Sequence, residues 1–245
     1  MNIIKLDAID STNSYIKKLA TKNNIESYTI VTANHQTAGR GQMGTVWVSD
    51  KGKNLTFSVL IKFSDFKIKH QFYLSMAISL AILKVLQFYV KTSLYIKWPN
   101  DILAGKDKIA GILIENILSG TSIKQSVIGI GLNVNQKKFP KSAGEVISLK
   151  KLTGNTIDLD ILLKKIIDEI KNFVVYIEQN EFDKLKEMYL TYLYKYNVPA
   201  MFENNKGILF LGKIVDIFED GKLVVELEDE KTRKFNLKEI KFANK

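Results

Sequence analysis

The sequence contains no cysteine, and its 245 residues include only two histidines, His35 and His70. Without thiols there can be no disulfide framework, iron–sulfur cluster, thiolate zinc site or cysteine nucleophile. Two imidazoles are also too few for a multi-histidine metal centre. The composition therefore argues against thiol chemistry and against a metal centre built on histidine.

Arginine is nearly as scarce, because only Arg40 and Arg233 occur among 36 basic residues and the other 34 are lysines. With 26 acidic residues the net charge is +10. Proteins that read nucleic acids usually rely on arginine for bidentate contacts. The lysine surplus is typical of a solvated surface that can steer an acidic partner. A basic nucleic-acid-binding protein stays open as an alternative, one that predicts affinity falling steeply with salt.

Long hydrophobic runs are also missing. The most apolar stretch, residues 73–90, is interrupted by Ser75, Ser79, Lys84 and Gln87, which is typical of a buried amphipathic helix. No targeting segment is visible at the start of the sequence. We expect a cytoplasmic protein without membrane association.

The patterning changes along the chain near Pro199. Before it, helical and strand periodicities alternate, which indicates an α/β or α+β body over residues 1–195. The predicted helices are one that begins at residues 10–13 and those over 69–91, 158–179 and 181–196. The predicted strands are 28–33, 55–61, 94–98, 108–118 and 123–134, and the last two form a predicted hairpin around Gly120. After Pro199, short β-rich runs and an Asp220–Gly221 turn predict a small β-barrel module over residues 196–245.

The run Gly39-Arg40-Gly41-Gln42-Met43-Gly44 matches the G-x-G-x-x-G pattern of dinucleotide-binding folds. In those folds the pattern opens a helix, and the residues after Gly44 are not helical. The dinucleotide interpretation therefore fails. Two interpretations remain: a flexible hairpin loop, and an anion cradle in which backbone amides flank Arg40.

Four further motifs each allow a structural and a functional interpretation. The turn Lys97-Trp98-Pro99-Asn100-Asp101 is an ordinary corner or a ligand site at a strand end. Gly111, three residues after Lys108, marks the approach of a ligand, or Lys108 is one of the 34 lysines and simply lies on the surface at a strand start. Gly129 and Gly131 share one strand face, open to tight packing or to a flat ring. Ser11-Thr12-Asn13 is a helix cap or a polar binding site.

The order of these motifs resembles that of the biotin–protein ligases. The similarity covers residues 3–135 closely and is carried by STN, QTAGRG with Trp47, KWPND, K-x-A-G-I-L-x-E and G-x-G-L-N. It implies an α+β, class II synthetase-like catalytic domain with a mixed sheet flanked by helices, followed by the small barrel. Because STN begins at residue 11, it also implies a form without an N-terminal DNA-binding domain or repressor function.

The resemblance further implies the reaction and its participants. Biotin and ATP, with Mg²⁺, form biotinyl-5′-AMP, and biotin then passes to one lysine of a carrier domain of acetyl-CoA carboxylase or another biotin-dependent carboxylase. No DNA or membrane partner is expected, and the protein is expected to be a monomer or weak homodimer. A lipoate–protein ligase shares this chemistry, but lipoate lacks the ureido ring that the polar STN set and Gln36 would bind.

The resemblance assigns residues by role. The implied catalytic residues are Lys108, Arg40, Lys97 and Asp101, with Asp101 also placing Mg²⁺. The implied biotin-binding residues are Ser11, Thr12, Asn13, Gln36, Arg40, Gly41, Gln42, Lys108 and Gly111. The implied nucleotide-binding residues are Trp47, Asn100, Asn133 and Arg40.

The sequence departs from the family pattern in the glycine loop. That loop usually reads G-R-G-R-x-G-R-x-W, whereas this chain has Gln42 and Thr45 at the second and third arginine positions. Two cationic contacts to the adenylate are therefore missing, which predicts weaker retention of the intermediate.

Overall fold

The computed structural model describes residues 2–243. The larger of its two sheets is mixed and has seven strands. Its strand order is β1-β2-β3-β7-β6-β5-β4, with β1 parallel to β2 and every other neighbouring pair antiparallel. The strands are β1 (Ile3–Ile9), β2 (Ile30–Gln36), β3 (Leu55–Lys67), β4 (Leu94–Lys97), β5 (Asp101–Ala104), β6 (Asp107–Ser119) and β7 (Ser122–Leu132). The predicted α+β class is confirmed.

Helices cover both faces of this sheet. They are α1 (Thr12–Lys22), α2 (Gln71–Gln87), α3 (Leu149–Thr153), α4 (Leu159–Glu178) and α5 (Phe182–Tyr192). Helix α1 packs on one face, where Ile16 joins Val31, Leu60 and Val127 in a small apolar cluster. The main core lies on the other face and contains buried side chains of α2, α4 and α5. Helix α2 is buried, as the apolar run predicted, but it is buried around most of its circumference and is therefore not amphipathic.

Polar side chains cap the starts of α1, α3 and α4. The Ser11 hydroxyl accepts a hydrogen bond from the Ser14 amide at 3.5 Å, and the Asp158 carboxylate accepts from the amides of Asp160 and Ile161. Such side chains satisfy amides that have no partner within the helix. None of the helices in residues 2–243 is long and apolar enough to cross a membrane.

The second sheet contains five antiparallel strands in the order β11-β10-β9-β8-β12. They are β8 (Pro199–Asn204), β9 (Leu209–Ile217), β10 (Leu223–Leu227), β11 (Thr232–Phe235) and β12 (Ile240–Phe242). The prediction of a barrel was wrong, because β11 and β12 lie at opposite edges and do not pair. These edge strands have only four and three residues, which leaves little backbone to close the ring. The division at residues 195/196 stays a prediction.

The second sheet contacts the first at the Lys97–Asp101 turn. The indole nitrogen of Trp98 donates to the carbonyl oxygen of Gly221 at 2.9 Å. Gly221 has φ of +93°, and a β-carbon there would meet the Phe72 ring at 2.6 Å. The Asp220–Gly221 turn was predicted, and here it also holds the second sheet beside the turn that bears Lys97 and Asp101.

Candidate active site

A cavity of about 860 Å³ opens on the α1 face of the seven-stranded sheet. It is bounded by the start of α1, the glycine loop (residues 39–47), the 97–101 turn, strands β6 and β7, and the second sheet. Most residues that the sequence singled out line it together, namely Ser11, Thr12, Asn13, Gln36, Arg40, Gly41, Gln42, Trp47, Lys97, Asn100, Asp101, Lys108 and Gly111. Motifs separated by almost a hundred residues therefore meet at one place.

Three glycines make room for side chains on the cavity floor. Gly111 and Gly131 face each other across β6 and β7, and Gly129 lies two residues before Gly131 on the same face. A β-carbon at Gly131 would overlap the Trp47 indole, and one at Gly129 would overlap the Asn13 carboxamide. One at Gly111 would come within 3.2 Å of the Lys108 ammonium nitrogen. The structural interpretation of the Gly129–Gly131 pair is confirmed, because side chains of the glycine loop and of α1 pack on it; its contact with a ligand stays a prediction.

An uncharged polar cluster lies at the α1 end of the cavity and comprises Thr12, Asn13, Gln36 and Ser58. The Gln36 side-chain oxygen accepts from the Thr12 amide at 2.8 Å and from its hydroxyl at 3.1 Å. The Ser58 hydroxyl lies 2.7 Å from the Thr12 hydroxyl and 2.5 Å from the Asn13 oxygen. The sequence analysis missed Ser58, which β3 brings beneath α1.

The glycine loop is a hairpin, which agrees with the structural interpretation of its glycines. The Gly41 amide donates to the Thr45 carbonyl at 2.7 Å, and the Trp47 amide donates to the Gly39 carbonyl at 3.0 Å. A 3-10 turn over Gln42–Gly44 closes it. The Thr45 hydroxyl donates to the Gln42 carbonyl at 2.8 Å and so holds the turn. The loop covers the cavity with Arg40 on one arm and Trp47 on the other.

Arg40 forms an ion pair with Glu115 of β6, a contact that the sequence analysis did not predict. One guanidinium nitrogen lies 3.0 Å from Glu115, whose other oxygen lies 2.9 Å from the Lys17 ammonium group. Burial works to raise the pKa of Glu115, but hydrogen bonds from Lys17 and Asn13 and the charge of Arg40 outweigh it. The pKa is held below its ordinary value of 4.5. Glu115 is therefore an ionised acceptor at neutral pH.

Lys108 is the cation at the centre of the cavity. Its ammonium group lies 2.6 Å from the Asp101 carboxylate and 5.8 Å from the centre of the Trp47 ring. The ion pair orients Lys108, and the positive charge beside the aromatic face suits an anion such as a carboxylate or a phosphate. Lys97 lines the same cavity, with its ammonium group 5.9 Å from the Phe242 ring of the second sheet.

Two predicted nucleotide-binding residues have structural contacts here. The side-chain nitrogen of Asn100 donates to the backbone carbonyl of Ile112 at 2.7 Å, which ties the 97–101 turn to β6. Asn133 is 2% exposed and is not among the cavity-lining residues, although the sequence predicted a place near the nucleotide. Its backbone instead joins β7 to its surroundings, because its amide donates to the Ile109 carbonyl and its carbonyl accepts from Leu149.

The donor set for a metal ion is limited. Within residues 2–243 no group of three or more acidic or imidazole side chains is placed to hold a metal ion. Asp101, the predicted magnesium ligand, is already paired with Lys108. The role of Asp101 toward Mg²⁺ stays a prediction.

The second sheet supplies a further wall of the cavity. Glu203, Asn204, Lys238 and Lys241 line it, and Lys241 pairs with Glu203 at 2.9 Å. The resemblance placed the C-terminal module near the site, but it named none of these residues. Two lysines on this wall add to the positive charge of Lys97 and Lys108, so the cavity suits anionic ligands.

Known proteins are similar to this chain in sequence. The family model of the biotin/lipoate A/B protein ligases matches residues 6–133, just over half of the chain. The bifunctional ligase/repressor BirA of Bacillus spizizenii is 29% identical over 231 residues, which cover 93% of this chain and 70% of that protein. The biotin–[acetyl-CoA-carboxylase] ligase of Paracoccus denitrificans is 33% identical over 163 residues, or 62% of this chain and 66% of that protein.

The fold also matches a solved structure over almost its whole length. The biotin protein ligase from Aquifex aeolicus, solved with biotin and ATP, has a TM-score of 0.80 at 24% identity and covers 99% of both chains. The family match, the relatives and this shared fold lead to the same assignment. The chain is an enzyme of the biotin/lipoate A/B protein ligase family, as its resemblance to the biotin ligases predicted.

Proposed function

We propose that this chain activates biotin with ATP to form biotinyl-5′-AMP and transfers the biotinyl group to a lysine of a biotin carboxyl carrier domain. The observation that carries the proposal is the meeting of three features in one cavity. These are the uncharged polar cluster, the glycine-lined floor and the cationic centre at Lys108. The polar cluster matches the ureido ring of biotin, the cationic centre matches its carboxylate, and the glycines admit the side chains of Trp47, Asn13 and Lys108 that surround the space between them.

The polar cluster matches the ureido ring of biotin, which has two N–H donors and one carbonyl acceptor. The oxygen of Gln36 already accepts from Thr12, so the Gln36 amide nitrogen is the group that can donate to a ligand carbonyl. The Asn13 oxygen lies over Gly129, where it can accept from a ligand N–H. Lipoate has no ureido group to match these contacts, and the named relatives above are biotin ligases.

In the first step a carboxylate oxygen of biotin attacks the α-phosphorus of ATP. The new phosphorus–oxygen bond replaces the bond to the β-phosphate, and pyrophosphate leaves with its electron pair. Both reactants are anionic, so holding them together and neutralising their charge is most of the catalysis. Lys108, which pairs with Asp101, is proposed to neutralise this charge, and Arg40 and Lys97 add positive charge to the same cavity. Mg²⁺ arrives as the counterion of ATP.

In the second step the acceptor lysine, as the free amine, attacks the acyl carbon of biotinyl-AMP. An amide bond forms, the bond from the acyl carbon to the AMP oxygen breaks, and the amine loses its proton as AMP leaves. No nucleophilic side chain of the enzyme is required. The carrier is proposed to approach past the second sheet, since its residues form one wall of the cavity.

The test is to mix the protein with biotin, Mg–ATP and a recombinant carrier domain, and to weigh the carrier by mass spectrometry. We expect the mass of one added biotinyl group, and no product when lipoate replaces biotin or when ATP is left out. Modification by lipoate alone would contradict the assignment. A carrier with its acceptor lysine changed to arginine is the matched control.

A further inference from the structure

We infer that Glu115 is a positioning residue for biotin activation, which orients Asn13 toward the bound ring and Arg40 toward the reacting phosphate. It is the last residue of the K-x-A-G-I-L-x-E motif, but it was assigned no role above, and it is not among the residues that line the cavity. The inference rests on the proposed function, since it concerns the same cavity and the same reaction.

Glu115 continues the cavity-facing row of β6. Alternate residues of a strand share a face, so Gly111, Leu113 and Glu115 point to the side of the sheet where α1 packs. Gly111 and Leu113 line the cavity, and Glu115 lies one step beyond its end. Its side chain is 21% exposed. A half-buried carboxylate at this place has to be paired, and its partners come from α1 and from the glycine loop.

One oxygen of Glu115 serves both cavity-lining partners. It accepts from the Asn13 side-chain nitrogen at 2.9 Å and from the Arg40 guanidinium at 3.0 Å. The other oxygen accepts from Lys17 at 2.9 Å. An ionised carboxylate can only accept hydrogen bonds, so it fixes which end of the Asn13 amide faces it. The Asn13 oxygen is thereby turned toward Ser58 and Gly129, where a ligand N–H can reach it.

The contact with Arg40 anchors one arm of the glycine loop to β6, while Trp47 packs the other arm on Gly131 of β7. Arg40 stands between Gly39 and Gly41, and the hydrogen bonds of the hairpin run within the loop itself. The pair with Glu115 fixes one guanidinium nitrogen to β6, and the remaining N–H donors of Arg40 stay available to an anion in the cavity. Glu115 thus sets the position from which Arg40 can meet a phosphate.

Lys17 provides a matched control. It pairs with the same carboxylate at a similar distance, but it is not among the cavity-lining residues. Lys17→Met therefore removes one cation from Glu115 and leaves both cavity-lining partners in place. Glu115→Gln instead weakens all three contacts, because the amide is neutral and one of its two ends donates.

The experiment measures biotin-dependent exchange of pyrophosphate into ATP, with KM for biotin and kcat determined separately, for four forms of the full chain. These forms are the wild type, Glu115→Gln, Lys17→Met and Glu115→Asp. For Glu115→Gln we expect KM for biotin to rise and kcat to fall, giving a combined loss of about 10-fold or more in kcat/KM. For Lys17→Met the loss should stay within about 3-fold. Thermal unfolding of each variant separates these effects from loss of the fold.

A cycle with Arg40→Ala isolates the loop contact. If Glu115 acts on kcat by placing Arg40, then Glu115→Gln should lower kcat no further in the Arg40→Ala background. The rise in KM for biotin should persist in the Arg40→Ala background, because this effect depends on Asn13. Should Glu115→Gln fail to fold, Glu115→Asp tests the same point, because its shorter side chain keeps the charge but cannot reach both partners.

Two results would overturn the inference. One is exchange by Glu115→Gln, or by Glu115→Asp in its place, with the kinetic constants of the wild type. The other is an equal loss in Lys17→Met, which would show that the whole charge cluster is only structural. A wild-type protein that shows no biotin-dependent exchange contradicts the proposed function itself, so the two failures are distinguishable.

Discussion

Replacing Lys108 by alanine removes the cation at the centre of the cavity and is expected to slow biotin activation strongly. The ammonium group lies 2.6 Å from Asp101 and its side chain is 32% exposed. Loss of such a charged contact in a partly closed site raises the barrier by about 2–4 kcal/mol, or roughly 30- to 1,000-fold in rate. The variant also leaves the Asp101 charge unpaired where two anions must meet, which adds to the loss.

Biotin binding and stability should change far less in this variant. The polar cluster that is proposed to hold the ureido ring has no hydrogen bond to Lys108, so we expect the biotin Kd to rise through the lost carboxylate contact but by less than the exchange rate falls. A partly exposed ion pair contributes about 1 kcal/mol or less to folding. The control is Lys106→Ala, whose side chain is 74% exposed and lies 3.8 Å from Glu145.

The assay is pyrophosphate exchange, with calorimetric titration of biotin and thermal unfolding measured in parallel. Near-wild-type exchange by Lys108→Ala would refute the catalytic assignment. A large drop in Tm together with lost exchange would show that the residue supports the fold and would refute the argument from charge. We expect Lys106→Ala to match the wild type in all three measurements.

Three further predictions concern Gly129 on the cavity floor, the glycine loop and Glu115. Gly129→Ala should weaken biotin binding by about 10-fold or more in calorimetry, because its methyl group displaces Asn13; unchanged affinity would contradict this. Gln42→Arg with Thr45→Arg should slow release of biotinyl-AMP by about 10-fold and reduce self-biotinylation in a chase with unlabelled biotin, and equal release would mean that nearby lysines compensate. Because the pKa of Glu115 is lowered on folding, its contribution to stability is full above its ordinary value of 4.5 and is lost as pH falls through the lower folded value. Urea unfolding should therefore show Glu115→Gln and wild type converging in stability below that pH, and a constant difference would contradict the shift.

The features that the sequence predicted well are those carried by neighbours along the chain. The Ser11 cap and the hairpin around Gly120 depend on residues within a few positions of one another. The shared face of Gly129 and Gly131 follows from the two-residue period of a strand. Lys108 and Gly111 likewise lie within one strand. Local stereochemistry determines such features, so the sequence alone is enough to infer them.

The features that were missed depend on pairing between distant segments. Strand β5 has four residues and no periodicity to detect, and β1 is an edge strand in which no residue is fully buried and the apolar residues do not alternate strictly with polar ones. The open second sheet was predicted as a barrel because closure depends on whether the two edge strands meet. Turn signals report where strands end, but they do not report which strands pair.

For Glu115 and Ser58, the two-residue period of a strand could have predicted more than we inferred from it. Counting by two from Gly111 places Glu115 on the ligand-facing side of β6, where a charge needs a partner. Ser58 is a polar residue between apolar neighbours in β3 and is fully buried, so it also had to be paired. The alternation of side chains between the two faces of a strand could have identified both positions. The identity of the partners could not be inferred, because Asn13 lies 102 residues from Glu115 and 45 from Ser58, and only the fold brings them together.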